Sequence, residues 1–425
     1  MTAVLFITFF ILLVLGFPVA FALAIAGFSM MLVIHGSHAF AALPTIVYDS
    51  LESFTLIAIP LFILMANILI QSGISRDLYD MVFDWVGHLP GGLAITTVVF
   101  CAGFSAISGS SVATAATIGM LALPEMLHAG YDRKFSFGIV ASGGTIGILI
   151  PPSLFMILYG SLTDESVGKL FIAGIFPGLI MIGLFLCYTV IYSRLKGFQS
   201  RKKASMPRRW ASTRAGIWGM ALPVIIIGGI YSGIFTPTEA AAVAVAYSGS
   251  VAFGIKRIPL SRLKTICLQT LQTTSMIFFI IIGALIFGHI VTILQVPQKI
   301  ITFLGQAGIS PLMFIILIGI IFIFLGDFLE VVSITLITLP LIYPILLALG
   351  IDPIWFAVIM CINMEFALIT PPVGLNLFVI NGIVKDADLL EVFKGTLPFM
   401  ILMLLTLILV IAFPFLSTWL PGTVR

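Results

Sequence analysis

The chain has 425 residues, of which 60% are hydrophobic and 9% are charged, and its formal net charge is +3. A soluble domain carries about 25% charged residues, so this chain cannot cover a surface that faces water. The composition excludes a compact soluble enzyme and a nucleic-acid binder, and it predicts an all-α protein that spans a lipid bilayer. The cysteines lie far apart in apolar runs and are predicted to be packing residues: Cys101, Cys187, Cys267 and Cys361.

The apolar stretches define the predicted membrane segments, since a helix needs about 20 residues to cross the hydrocarbon core. The first two lack the positively charged start of a secretion signal and are predicted to be retained spans. Two others, 92–127 and 311–346, are too long for one crossing, and small or polar residues interrupt each of them, which predicts two re-entrant hairpins. The remaining stretches each fit one crossing: 2–15, 18–34, 54–71, 136–160, 170–193, 215–232, 238–254, 266–294, 354–381 and 396–419.

Two clusters of basic residues without acids set the predicted orientation, because Lys and Arg favour the cytoplasmic side of a membrane. Two spans separate the clusters, so both can face the cytoplasm. Carried outward, this parity predicts about ten full spans, both termini outside the cytoplasm, and hairpins entering from opposite faces of the membrane. The basic residues are Arg194, Lys196, Arg201, Lys202, Lys203, Arg208, Arg209 and Arg214, then Lys256, Arg257, Arg262 and Lys264.

The chain matches itself at an offset of 220 residues: Pro151-Pro152 falls on Pro371-Pro372, and Asp132 falls on Asp352. An odd number of predicted crossings separates the copies, so the second copy is inverted. Each Pro-Pro pair removes backbone donors and breaks its span. Inverted repeats with broken helices predict a secondary transporter whose site lies near the middle of the bilayer. The predicted regions are scaffold helices 1–53, repeat 1 at 54–195, a basic loop with scaffold helices at 196–265, and repeat 2 at 266–425.

Several strings resemble the large membrane subunit of TRAP transporters, the tripartite ATP-independent periplasmic uptake systems. They are PLFILMANIL (60–69), GHLPGGLA (87–94), AISGSSVATAATIG (106–119), GGTIGILIPPS (143–153), GIFTPTEAAAVA (233–244) and NMEFALITPPVGLNLF (363–378). The resemblance implies import of a small organic acid driven by two or more sodium ions, an elevator-type fold, a small four-helix membrane partner and a periplasmic substrate-binding protein. It also implies a location in the bacterial inner membrane, so that both predicted termini lie in the periplasm. It implies neither an organic cofactor nor an ATPase, and the chain has no Walker A motif.

Sodium prefers carbonyl and hydroxyl oxygens, as other hard cations do. The first predicted sodium cage combines hairpin 1 with the first broken helix: Ser108, Gly109, Ser110, Ser111, Gly143, Gly144, Thr145 and Pro151. The second combines hairpin 2 with the second broken helix: Gly326, Asp327, Glu330, Asn363, Glu365, Thr370 and Gly374. Close helix packing by the small residues, and structural hydrogen bonds by Asp327 and Glu365, are the alternative interpretations.

The predicted substrate contacts lie at the half-helix N-termini, whose positive dipole ends suit a carboxylate: Ser111, Thr114, Pro152, Ser153, Pro372 and Asn376. In the dicarboxylate branch hairpin 1 often carries an acid where this chain reads SVATAA, so the sequence favours sialic acid (N-acetylneuraminate), with a C4-dicarboxylate or another sugar acid as the alternative. Two remoter alternatives are a passive channel and an intramembrane serine hydrolase that uses Ser110 or Ser111 with His289.

Three further features have predicted structural roles. Segments 76–80 and 256–264 are amphipathic and predict arms that lie along the membrane surface. Glu239 follows Thr236-Pro237-Thr238, which is typical of a helix N-terminal cap. His289 lies inside a predicted span and is expected to be a hydrogen-bonded packing residue.

Overall fold

The computed structural model describes residues 1–198, 200, 202–256, 258–384 and 386–423, without the side chains of 49 and 50. Of the basic residues used for the orientation, Arg201 and Arg257 fall outside this range. All the secondary-structure elements of the described part are helices. Its first half comprises α1 Thr2–Val14, α2 Val19–His35, α3 Ala39–Leu51, α4 Ala58–Gln71, α5 Ile74–Val86, α6 Gly92–Ser108, α7 Ser111–His128, α8 Arg133–Thr145, α9 Leu154–Thr163, α10 Val167–Ala173 and α11 Ile175–Lys196.

The second half comprises α12 Met206–Tyr231, α13 Pro237–Gly249, α14 Ser261–Ile293, α15 Val296–Gln306, α16 Pro311–Gly326, α17 Val331–Ala348, α18 Pro353–Ala367, α19 Leu375–Ile383, α20 Leu389–Ala412 and α21 Phe415–Thr423. Eight helical segments within the described residues are long and apolar enough to cross a membrane. These eight include α17, which is one half of hairpin 2, and leave out both broken helices, whose halves are shorter than 18 residues, so the expected ten full spans stay a prediction. α1 has 13 residues, and at about 1.5 Å per residue it is shorter than the hydrocarbon core.

Both predicted hairpins and both broken helices are present. Hairpin 1 is α6 and α7, joined at Gly109 and Ser110, and hairpin 2 is α16 and α17, joined at residues 327–330. α8 and a short 3-10 turn end before Pro151-Pro152, after which α9 begins, while α18 ends before Pro371-Pro372 and α19. Both Pro-Pro peptide bonds are cis. α7 and α17 have the same bounds when shifted by 220 residues, which confirms the repeat at the level of elements.

Contacts between the two broken helices show that the copies are antiparallel. The Tyr159 hydroxyl near the end of α9 donates to the Pro353 carbonyl at the start of α18, at 2.8 Å. At the opposite pole Arg133, which begins α8, donates from Nη2 to the carbonyl of Asp386 beyond α19, at 2.9 Å. The end of each broken helix therefore meets the start of the other, as an inverted repeat requires.

Close glycine crossings occur within two groups of helices. The first helix group comprises α2, α4 and α14, and the second comprises hairpin 1 with α8, α9, α11 and α20. In the first group α2 crosses α14, where a Cβ on Gly27 would lie 2.9 Å from the Phe287 amide nitrogen. In the second group α8 crosses α20, where a Cβ on Gly138 would overlap the carbonyl of Gly395. Such contacts need small residues, because they bring helix backbones together.

One of the two segments predicted to be arms forms a separate amphipathic helix and the other does not, and a position along the membrane surface stays a prediction. α5 is an amphipathic helix that packs on α12, as expected for 76–80. In contrast, the described residues of 256–264 form no separate helix: Lys256 follows a π-helical turn and α14 begins at Ser261. The counterpart of α5 in repeat 2 is the amphipathic helix α15, at the position that the offset of 220 requires.

Two smaller predictions have opposite outcomes. Glu239 and Thr236 form a complete capping box at the start of α13: the Glu239 amide donates to Thr236 Oγ1 at 3.3 Å, and the Thr236 amide donates to Glu239 Oε2 at 2.8 Å. His289 has an exposed side chain on α14. The prediction that it is a packing residue is therefore wrong, because its side of the helix points out of the molecule.

Candidate functional site

Both hairpin tips and both helix breaks converge on one central cavity of about 80 Å³. Hairpin 1 contributes Gly109, Ser110 and Ser111, and hairpin 2 contributes Glu330 together with the first residues of α17. The breaks contribute Ile148, Leu154, Leu368 and Leu375. The N-termini of α7 and α17 both lie at this cavity, so two helix dipoles present their positive ends to it.

The tip of hairpin 1 is held by hydrogen bonds among its own hydroxyl groups. Ser108 Oγ and Thr114 Oγ1 are 2.5 Å apart, and Ser108 Oγ also donates to the carbonyl of Ser110 at 3.2 Å. Ser110 caps α7 by accepting from the Ala113 amide. Gly109 has φ +60° and lies against the carbonyl of Pro152, where a Cβ would be 3.0 Å from the oxygen. Hairpin 1 therefore rests directly on the first helix break.

Oxygen atoms gather around Gly147, in the 3-10 turn before the first break. A Cβ on Gly147 would lie 3.3 Å from both Ser105 Oγ and Thr114 Oγ1 and 3.4 Å from the carbonyl oxygen of Ser110. Ser105 Oγ is buried and has no hydrogen-bond partner within the described residues. Sequence reasoning missed Ser105 and Gly147. The spacing could have indicated Ser105, because it lies one helical turn before the hairpin tip.

The other predicted members of the first cage are packing residues or backbone supports. A Cβ on Gly143 would lie 2.6 Å from Cys101 Sγ, and one on Gly144 would lie 2.7 Å from the Ala115 Cβ, so both glycines pack against the two helices of hairpin 1. The Thr145 hydroxyl is buried and donates to the carbonyl of Ser142 within its own helix. Pro151 is buried at the break.

Hairpin 2 presents acidic oxygens where hairpin 1 presents hydroxyls. Asp327 is 7% exposed, and its Oδ1 has no hydrogen-bond partner among the described residues. Glu330 Oε1 and Ser333 Oγ are likewise buried and unpartnered there. Gly326 packs on Ala367, so this tip rests on the end of α18 as hairpin 1 rests on the first break. Ser333 was not predicted from the sequence.

The second predicted cage is partly wrong, because Asn363 and Glu365 face different sides of α18. Residues two apart on an α-helix are about 200° apart around its axis. Asn363 Oδ1 contacts Gly319, two turns before the tip of hairpin 2, and its amide donates to the Ile359 carbonyl. Glu365 is fully buried and lies toward Leu149 of repeat 1. The two side chains therefore cannot share one ion at the tip.

The remaining predicted residues at the second break differ in their burial and in the contacts that they make. The Thr370 hydroxyl donates to the Phe366 carbonyl at 2.7 Å, and Gly374, with φ +52°, turns the chain back against the Thr370 carbonyl. Pro372 is exposed, unlike the buried Pro152 and Ser153 of repeat 1. Asn376 is fully buried and reaches hairpin 1. Of the six predicted substrate contacts, Ser111 alone lines the central cavity.

Two inverted hairpins and two broken helices around one cavity define a membrane transporter of the secondary active class. Residues 6–416 match the family described as "Tripartite ATP-independent periplasmic transporter, DctM component". The chain belongs to this family, as the motifs in its sequence predicted. Its similar proteins are named as transporter permeases, so it is not an enzyme, and the serine hydrolase alternative is discarded.

The chain is 44% identical over 376 residues to the "C4-dicarboxylate TRAP transporter large permease protein DctM" of Pseudomonas aeruginosa, a match that covers 88% of each chain. It is 38% identical to the protein of the same name from Vibrio cholerae, covering 99% of this chain and 97% of the other. Identity to the "Sialic acid TRAP transporter large permease protein SiaM" of Vibrio cholerae is 32%, covering 96% of each.

The fold is similar to that of a solved structure, "Crystal structure of the Alcanivorax borkumensis YdaH transporter reveals an unusual topology". The TM-score is 0.56 over 91% of this chain and 89% of that one, at 15% sequence identity. At this identity the similarity supports the architecture alone.

Proposed function

We propose that this chain is the large membrane subunit of a sodium-coupled importer of a small dicarboxylate, and that transport occurs at the central cavity between the hairpin tips. The observation that carries this proposal is the convergence of both tips and both breaks on one cavity of about 80 Å³. The proposal replaces sialic acid with a C4-dicarboxylate as the substrate. Higher identity to permeases named for C4-dicarboxylates than to one named for sialic acid supports this change.

Two features of the cavity suit a dianion that binds together with sodium. The N-termini of α7 and α17 offer positive dipole ends, one for each carboxylate of the substrate. Glu330 lines the same cavity and repels an anion. A cation beside hairpin 2 offsets that repulsion, so sodium and the dicarboxylate bind better together than either does alone.

The sodium ions would bind at the two tips, in different surroundings. At hairpin 1 the ligands would be neutral oxygens around Gly147, from Ser105, Thr114 and the carbonyl of Ser110. At hairpin 2 they would include the unpartnered carboxylate oxygens of Asp327 and Glu330. Sodium takes hard oxygen ligands, and a buried oxygen without a partner is costly unless it binds something.

The boundary between hairpin 1 and the first helix group suits a sliding motion. Phe62, Ile63 and Met65 of α4 face Gly109 and the Pro152 break across a space of about 10 Å³. The α4 side of this contact is apolar and neither side carries a charge, so one group can move past the other without exchanging ion pairs. An elevator movement of the hairpin group against α4, with the basic loop on the cytoplasmic side of the inner membrane, is part of the proposal.

The proposal includes the two partners expected from the sequence motifs, a small four-helix membrane subunit and a periplasmic substrate-binding protein, and the family's description as tripartite supports two further components. The experiment reconstitutes the chain with both partners in lipid vesicles and measures uptake of radiolabelled succinate, with and without external sodium. Accumulation that requires sodium, and that unlabelled malate inhibits more strongly than N-acetylneuraminate, supports the proposal. Equilibration without accumulation would favour the passive channel, and stronger inhibition by N-acetylneuraminate would restore the sialic acid assignment.

A further inference from the structure

A second, polar cavity of about 300 Å³ lies at the boundary between the two helix groups, near the pole where α9 ends. Ser53 lines one wall, before α4, and Ser161 and Asp164 line the opposite wall, at the end of α9. The Ser53 and Ser161 hydroxyl oxygens face each other at 3.4 Å. Ile281 and Leu285 of α14 form part of the remaining wall.

α9 connects this cavity to the tip of hairpin 1. Leu158 and Ser161 line the outer cavity, whereas Leu154 and Ile157 on the preceding turns line the small space beside Gly109. Ten residues of helix correspond to about 15 Å, so a path along α9 from Asp164 to the hairpin tip is one helix length long. The path ends beside the break between repeat 1's two half-helices.

A polar group without a partner lies at the inner end of this path. The Ser153 side chain is fully buried, and its Oγ has no hydrogen-bond partner among the described residues. Ser153 lines the space beside Gly109. A buried hydroxyl without a partner costs stability unless a ligand uses it, so Ser153 indicates an occupant whose chemistry suits an oxygen donor.

The charged residues at the outer end of the path determine whether a cation or an anion is attracted to it. Asp164 is exposed at the mouth, and the next residue, Glu165, lies near Asp352 and Tyr343 from repeat 2. Lys169 is the basic residue close to Glu165. The three acidic residues Asp164, Glu165 and Asp352 outnumber this lysine, so the mouth attracts cations and repels the anionic substrate.

We propose that the cavity lined by Ser53, Ser161 and Asp164 is a sodium vestibule, through which the ion reaches hairpin 1 along α9 before the dicarboxylate binds. This inference rests on the proposed sodium coupling and deepens it by assigning an entry route and an order of binding. Sodium at the mouth neutralises Asp164 and thereby removes the repulsion that the anion would otherwise meet.

Asp164 allows the charge to be removed with little change in backbone preference. Its φ is +57°, in the left-handed region, where Asn is also tolerated well. Asp164→Asn therefore changes the charge and keeps the turn. Asp386→Asn is the matched control, because Asp386 is also an exposed aspartate in a loop but lies at the opposite pole, beside Arg133.

The test measures the initial rate of succinate uptake as a function of external sodium in vesicles that contain the chain and both partners. We expect Asp164→Asn to raise the sodium concentration for half-maximal rate about threefold at low ionic strength, and choline chloride to reduce this difference because salt screens exposed charges. Asp386→Asn should match the wild type.

The outcomes separate this inference from the proposed function. If wild-type uptake shows no sodium dependence, the coupling itself fails. If the wild type depends on sodium but Asp164→Asn and the wild type share one sodium curve at low ionic strength, the vestibule is wrong and the coupling stands. Ser153→Ala gives a second check in a folded background: it should weaken the sodium dependence as well, and an unchanged curve for both variants would overturn the route.

Discussion

The Asn376 side chain joins the two repeats: its Nδ2 donates to Ser111 Oγ of hairpin 1 at 2.8 Å and to the Ala141 carbonyl at 2.9 Å. Asn376 follows the break in repeat 2, whereas both acceptors belong to repeat 1. All three groups are buried. One amide therefore ties the second break to hairpin 1 and to the first broken helix, and the two repeats cannot move independently at this point.

Asn376→Ala should destabilise the protein by about 1–3 kcal/mol, because it leaves Ser111 and a backbone carbonyl without their buried donor. Ser111→Ala should cost less, since Asn376 keeps its bond to Ala141. Thermal unfolding in detergent, arranged as a double-mutant cycle, should give a coupling energy of at least about 0.5 kcal/mol. Ser29→Ala is the control, because the Ser29 hydroxyl bonds only within α2. Additive effects of the two substitutions would contradict the link.

Gly138→Ala should prevent normal folding, because the new methyl group would overlap the Gly395 carbonyl at the crossing of α8 and α20. Gly183→Ala is the matched control in a helix of the same group, since no atom lies within 4 Å of its added Cβ. The control should be neutral or stabilising by about 0.5–1 kcal/mol, as expected for alanine in a helix. Fluorescence-detected size exclusion measures the folded yield. Equal yields for both variants would show that the helices cross further apart.

Asp327→Asn should reduce the sodium dependence of uptake while the protein still inserts and folds. It removes one buried, unpartnered carboxylate from the tip of hairpin 2 and keeps the size of the side chain. We expect the sodium concentration for half-maximal uptake to rise about tenfold, which corresponds to about 1.4 kcal/mol. Thr370→Ala should have a smaller effect, because that hydroxyl is bonded within its own turn. An unchanged sodium curve for Asp327→Asn would remove this residue from the sodium site.

Glu165 should make stability depend on pH in the acid range. Burial raises the pKa of Glu165 above its ordinary value of 4.5, and nearby Asp352 raises it further, while Lys169 and the Tyr343 hydroxyl lower it. The folded protein therefore holds this proton more tightly than the unfolded chain does. Stability from this group is present below pH 4.5 and is lost as the pH rises through the raised pKa.

It follows that Glu165→Gln should unfold at a higher temperature than the wild type at pH 7, and that the difference should shrink as the pH falls toward 4.5. Asp386→Asn should show no such trend, since Asp386 is exposed at the other pole. A lower unfolding temperature for Glu165→Gln at pH 7 would contradict the raised pKa of Glu165.

The sequence was sufficient for the hairpins, the breaks and the inverted repeat. Polar residues such as Ser110 and Asp327 interrupt long apolar stretches, and two Pro-Pro pairs recur at a fixed offset. These signals are local and strong, because lipid tolerates few irregularities of the backbone. The family motifs support the same conclusion independently.

The details of the site needed coordinates. Asn363 and Glu365 are two residues apart, and only their contacts show that they face different partners. Ser105 and Gly147 approach each other across the fold, and such proximity leaves no periodic signal in one sequence. α15 was missed because it follows α14 after a short break, and the apolar run hides its amphipathic pattern.

The central claim is that two sodium ions bound at the hairpin tips drive one dianion through the central cavity. The most direct measurement is the ratio of internal to external succinate at steady state, as the sodium gradient across vesicles is varied. With two ions per dianion the cycle carries no net charge, so we expect a tenfold sodium gradient to give about a hundredfold accumulation, or about 2.8 kcal/mol. A ratio that stays at one at every sodium gradient would contradict the account.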